Sequence, residues 1–126
     1  MGIWNFNAVW IGILFGLLSG AGLGLKFHES EWLGGYGSWP RRMLRLGHIS
    51  FFGIAIINLV FALSVRHFGV TMSSNVVSLL FVAGAVTMPT ACFLSAWKKP
   101  MRHLFYIPVL CLCAGAYLFV SQGGLL

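Results

Sequence analysis

Four apolar runs, at about residues 5–25, 40–65, 75–97 and 101–121, take up most of this chain. Each is long enough to cross a hydrocarbon layer roughly 30 Å thick, which takes about 20 helical residues. A backbone in lipid must satisfy its own hydrogen bonds, so helices are the economical way across. The connections joining runs two, three and four are short, which makes those helices antiparallel neighbours. The expected fold is all-α: four transmembrane helices in an up-down bundle, one domain spanning residues 1–126. Composition points the same way. The chain is 59% hydrophobic and only 8% charged, whereas soluble domains carry about a quarter charged residues.

The charges are few enough to set an orientation. Lys26, Arg41, Arg42 and Arg45 fall between the first and second runs, and Lys98, Lys99 and Arg102 between the third and fourth; Arg66 alone falls on the other side. Short loops rich in Lys and Arg stay in the cytoplasm, which leaves both termini on the non-cytoplasmic side. A cell inner membrane, crossed several times, is the expected compartment. The basic balance, with a pI near 9.8, reflects this topology and contact with anionic headgroups, and no nucleic-acid-binding motif accompanies it. Ser19-Gly20-Ala21 has the small-residue look of a cleavage site. No positive charge precedes the first run, however, as a signal peptide would require, so an uncleaved helix is expected.

Packing signals are clearest in the first run. Gly12, Gly16, Gly20 and Gly24 recur every fourth residue along one ridge. Small residues let helix backbones approach closely where no hydrophobic force drives association. The ridge docks a helix, either from the same chain or from another membrane subunit. Pro89 is expected to kink the third helix, with Thr87 and Thr90 beside it, and Pro108 to perturb the fourth; Pro40 and Pro100 suit helix starts. Gly84, Thr87, Ala91 and Ser95 form a small, weakly polar stripe. Asn58, deep in the second run, is expected to cross-link helices. Cys92, Cys111 and Cys113 all lie inside spans, and a two-residue spacing points the last pair to opposite faces. They are expected to act as small apolar side chains rather than as a metal clip.

The histidines are the best chemical lead. His28, His48 and His103 belong to the basic end and His67 to the other. Arg41, Arg45 and His48 share one face of the second helix by their i, i+4, i+7 spacing; His103, Tyr106, Cys113 and Tyr117 share a face of the fourth, read as an inward polar stripe. In an alternating bundle the second and fourth helices lie diagonally, with a central cavity between them. Two neutral imidazoles, His48 and His103, would then ligate the iron of one heme b. Arg41, Arg45, Arg102 or Lys99 would meet its propionates. A nonheme site from His28, Glu29 or Glu31 with His48 and His103 is a further option, without supporting motif spacing. The bland alternative is a set of interfacial histidines and snorkelling cations.

No nucleophile elbow, P-loop, dinucleotide fingerprint or zinc-protease motif occurs, so the chain offers electron transfer or an accessory role at most. In size and layout it resembles small heme-carrying or accessory membrane subunits of respiratory complexes. That resemblance implies a subunit of a larger electron-transfer complex, acting as scaffold and binding heme or lipid. The alternative is an autonomous homo-oligomeric transporter or channel for a small solute, with the glycine ridge as its interface. No acidic residue lies within a span to relay protons or bind cations, which weighs against the alternative.

Overall fold

The computed structural model describes residues 3–68 and 74–122. Four α-helices follow in order: α1 (Ile3–Phe27), α2 (Trp39–Phe68), α3 (Ser74–Trp97) and α4 (Tyr106–Gln122). Short 3₁₀ segments, Trp32–Gly34 and Lys99–Phe105, precede α2 and α4. All four spans are long and apolar enough to cross a membrane.

Local chemistry sets the helix starts. Ser38 caps α2, its hydroxyl accepting from the Arg41 amide at 3.4 Å, and Pro40 occupies the first turn, where a missing donor costs nothing. The fourth span enters differently from the expected α-helix beginning near residue 101. Its first residues, Lys99–Phe105, wind as a 3₁₀ helix, and the α-helix begins only at Tyr106. Pro108 gives the reason: it cannot donate to the Leu104 carbonyl, and its ring would crowd that carbonyl inside an α-helix. Starting at Tyr106 puts Pro108 in the first turn. In α3, Thr87 and Thr90 donate to the carbonyls of Ala83 and Val86, each at 2.7 Å. Neither takes the Ala85 carbonyl that Pro89 leaves free.

The helices α2 and α3 form the central antiparallel pair; α1 lies against α2 and touches α3 less, while α4 lies on α3. The glycine ridge is spent largely inside the chain. A methyl group at Gly12 would meet the Phe51 carbonyl at 3.1 Å, at Gly16 the Phe52 ring at 2.6 Å, and at Gly20 the His48 ring at 2.7 Å; at Gly24 it would meet nothing within 4 Å. On the other side of the pair, Gly84 receives Leu112, and Gly115 receives Phe81. Phe61, Val77 and Phe81 form a buried cluster that Leu112, Leu118 and Phe119 help cover. Phe61 stacks edge-on against Phe81 and Phe119, with centroids 5.2 and 5.5 Å away. Aromatic rings thus fill the space between α2 and α4 at this level, where the alternating bundle implied a central cavity.

Asn58 does link helices, and its partners come from both neighbours. Asn5 donates to the Asn58 side-chain oxygen at 2.7 Å and to the Ser78 carbonyl at 3.3 Å. The Ser78 hydroxyl donates to the Asn5 side-chain oxygen. Asn58 donates in turn to the carbonyls of Ile54 at 3.0 Å and Phe81 at 3.2 Å. Asn5 and Asn58 are fully buried, and together with Ser78 they tie α1, α2 and α3 into one unit.

Candidate functional site

The basic residues gather at the end where α1 runs into α2 and α3 into α4. The Trp39 indole nitrogen, at the start of α2, donates to the Ser95 carbonyl near the end of α3 at 2.8 Å. Arg42 and Lys99 flank the Trp39 ring at 5.9 and 5.6 Å from its centroid, and Lys98 lies over Trp97 at 5.8 Å. Both loops are therefore joined at one end through aromatic–cation contacts.

Arg41 organises this end. Only 1% exposed, its guanidinium donates to the carbonyls of Phe27 at 2.9 Å, Ser30 at 3.1 Å and Glu29 at 3.4 Å. It also lies 4.6 Å from the Phe27 ring centroid and 5.7 Å from that of Trp32. The loop turns back through positive φ angles at Leu33, Gly34 and Gly35. Arg41 is thus a latch that closes the α1–α2 loop onto the top of α2. Its Nε is buried without a partner. One turn further along, the Arg45 guanidinium stacks over Tyr36 at 4.2 Å, and one of its terminal nitrogens, Nη1, is also buried and unpartnered. The buried Ser95 hydroxyl is unpartnered as well.

The two histidines of the heme expectation sit on different walls. His48 is half-buried between α1 and α2, its Nδ1 3.1 Å from the Ser19 hydroxyl. Its ring presses on Gly20 and stands edge-on to Phe52 at 5.4 Å. Ser19 also approaches the Gly16 carbonyl at 3.0 Å. The Ser19–His48 contact thus joins α1 to α2, with its donor set by the tautomer of the imidazole. His103 lies on the exposed surface of the 3₁₀ segment, which packs on α3 and α4. Arg102 and His28 are exposed too, and Glu29 pairs with Lys26 at 3.3 Å. Among the described residues, no three His, Cys, Asp or Glu side chains converge to hold a metal ion.

The stripe read as inward on the fourth helix faces outward: Tyr106 and Tyr117 are 69% and 74% exposed, and Cys113 is exposed. The reason is that α4 commits Pro108, Leu112, Gly115 and Phe119 to the interior, and the tyrosines fall on the opposite side. Cys92 is buried and Cys111 half-buried. The features the sequence did not reveal are the partners of Asn58 and the burial of Arg41. Nothing in the spacing of Asn5, Asn58 and Ser78 announces that they meet. For Arg41, the one available signal is the run of aromatics ahead of it, Phe27, Trp32 and Trp39, and the adjoining Arg42 shares that signal.

A lateral apolar groove of about 410 Å³ runs between α1 and α3 with α2 as its floor, walled by Trp4, Phe15, Phe51, Val86 and Phe93. Small residues Ala8, Gly12, Ala55 and Ala85 lower its base. Comparison with known protein families, with characterised proteins and with solved structures gives no match.

Proposed function

We propose that this protein is a small structural subunit of a larger membrane complex, seated among partner helices through the lateral groove between α1 and α3. The groove is the observation that carries the reading. Its base of Ala8, Gly12, Ala55 and Ala85 is the small-residue surface that lets another transmembrane helix approach closely. The interior, by contrast, is closed by the Asn5–Asn58–Ser78 link and the Phe61–Phe81–Phe119 cluster, so the chemistry available to the chain lies at its surfaces. In this reading the basic end faces the cytoplasm, as the seven-to-one division of Lys and Arg favours. The host is a bacterial inner-membrane assembly of the respiratory or electron-transfer kind.

Co-purification in mild detergent tests the proposal. Firm, stoichiometric protein partners support it, and a pure homo-oligomer that passes a small solute overturns it in favour of a transporter. Heme ligation by His48 and His103 is a separate, finer proposal. It requires His48 to turn from Ser19 and Gly20, and His103 to leave the surface. The side chains as they stand do not form an axial pair, so the scaffold role does not rest on it. A dithionite-reduced spectrum settles the matter: a sharp α-band stoichiometric with this chain revives heme ligation, and a featureless spectrum from folded protein retires it.

A further inference from the structure

Two cations from separate parts of the chain meet at one indole. Arg42, in the first turn of α2, lies 5.9 Å from the Trp39 ring centroid, and Lys99, opening the 3₁₀ segment before α4, lies 5.6 Å from it. The ring is fixed, because its nitrogen donates to the Ser95 carbonyl of α3 at 2.8 Å. Lys98, next along the chain, lies over Trp97, which is 81% exposed. Arg42, Lys98 and Lys99 are all exposed. Among the described residues none of the three forms an ion pair, and Glu29 is already taken by Lys26. Like charges gathered around one ring repel each other, and a counter-anion relieves that repulsion.

Charge complementarity and position name the anion. The patch lies at the ends of spanning helices and carries Trp39 and Trp97, residues typical of the level at which headgroup phosphates lie. One phosphate would balance one of the two cations at Trp39, whereas a headgroup carrying two phosphates balances both. Basic surfaces between spanning helices suit headgroups of that kind. We propose that the exposed Arg42–Trp39–Lys99 cluster is the headgroup site of a two-phosphate anionic phospholipid of the cardiolipin class. Arg42 takes one phosphate in its guanidinium fork, Lys99 takes the other, and Lys98 adds charge beside them. Because Arg42 belongs to α2 and Lys99 to the α3–α4 connection, the lipid clasps from outside what the Trp39–Ser95 bond joins from within. The cluster shares no residue with the α1–α3 groove, so the site stands whether or not a partner helix fills that groove.

Native mass spectrometry of the full chain in detergent, titrated with cardiolipin or with phosphatidylglycerol, tests this site. A cation beside a headgroup is worth roughly a fivefold change in affinity, so the wild type is expected to retain one cardiolipin about fivefold more tightly than phosphatidylglycerol. Arg42→Gln and Lys99→Gln, both at exposed positions where the fold does not depend on the charge, each lose about that factor, and the double variant loses the preference. Arg102→Gln, at an exposed position of the same end, and Arg66→Gln at the other end keep it. An equal loss in Arg102→Gln would mean general attraction to a basic surface and would overturn the proposal. Equal retention of the two lipids would overturn the two-phosphate assignment. Displacement by millimolar inorganic pyrophosphate, but not by sodium chloride of the same ionic strength, would point to a soluble ligand instead of a lipid. If cardiolipin fails to bind while Arg42→Gln and Lys99→Gln lose a co-purifying protein, the patch holds an acidic segment of that partner and the lipid site falls.

Discussion

The two ends of this bundle are fastened by opposite chemistry. At one end, Asn5, Asn58 and Ser78 form a neutral network in which amide and hydroxyl donors find side-chain or main-chain oxygens of three helices. At the other, the Arg41 guanidinium holds the last carbonyl of α1, at Phe27, and two loop carbonyls, at Glu29 and Ser30, while Arg41 Nε and Arg45 Nη1 stay buried and unpartnered. Neutral amides inside the hydrocarbon have no solvent to fall back on and must be satisfied by the protein. The Arg41 cation, only 1% exposed, is likewise balanced from within, by main-chain carbonyls and the Phe27 ring. The neutral end ties helix to helix, whereas the charged end ties a loop to a helix.

The sharpest way to break this contrast is to remove the latch. Arg41→Met leaves the carbonyls of Phe27, Glu29 and Ser30 without their shared donor and is expected to cost on the order of 3 kcal/mol. Thermal unfolding in detergent would show it as the largest loss among these variants, with faster proteolysis in the loop of residues 28–38. If Arg41→Met unfolds like the wild type, the latch is ornamental. Asn58→Leu comes next. It removes the acceptor of Asn5 and the bond to the Phe81 carbonyl, for an expected loss of about 1–3 kcal/mol, and the loss should be insensitive to lipid headgroup. A loss that anionic lipid rescues would contradict the division between the two ends.

The α1–α2 seam supplies a matched pair of smaller tests. Gly20→Ala drives a methyl group into the His48 ring, expected to cost about 1–3 kcal/mol as overpacking. Gly24→Ala meets open space, so only helix propensity acts, and the change should be neutral or stabilising by up to about 1 kcal/mol. Equal effects at the two positions would mean that the seam does not open between them.

The same residues show how far sequence reasoning reaches. Span number and helical class followed from four apolar runs, because length and hydropathy are local properties. The use of the glycine ridge was only half legible: spacing announced a docking face, but the choice between an internal and an external partner depends on how α1 is placed over α2. Asn58 was readable as a cross-link, whereas Asn5 and Ser78, 53 and 20 positions away along the chain, meet it only through folding. The inward reading of Tyr106 and Tyr117 went wrong for a definite reason. Helical spacing groups residues onto a face without saying which face packs, and Pro108, Gly115 and Phe119 decided that for α4. Arg41 looked like one more interfacial cation because burial of a charge is set by the loop that folds over it.

Site-specific photocrosslinking in native membranes tests whether partner helices seat against the α1–α3 groove, as proposed. A photoreactive residue replaces Ile11 or Val86 in the groove, or Leu110 on the exposed side of α4 as a control. One discrete protein adduct, of the same mass, is expected from both groove positions and none from Leu110. Lipid adducts alone, or crosslinks to a second copy of this chain from the groove, would contradict it.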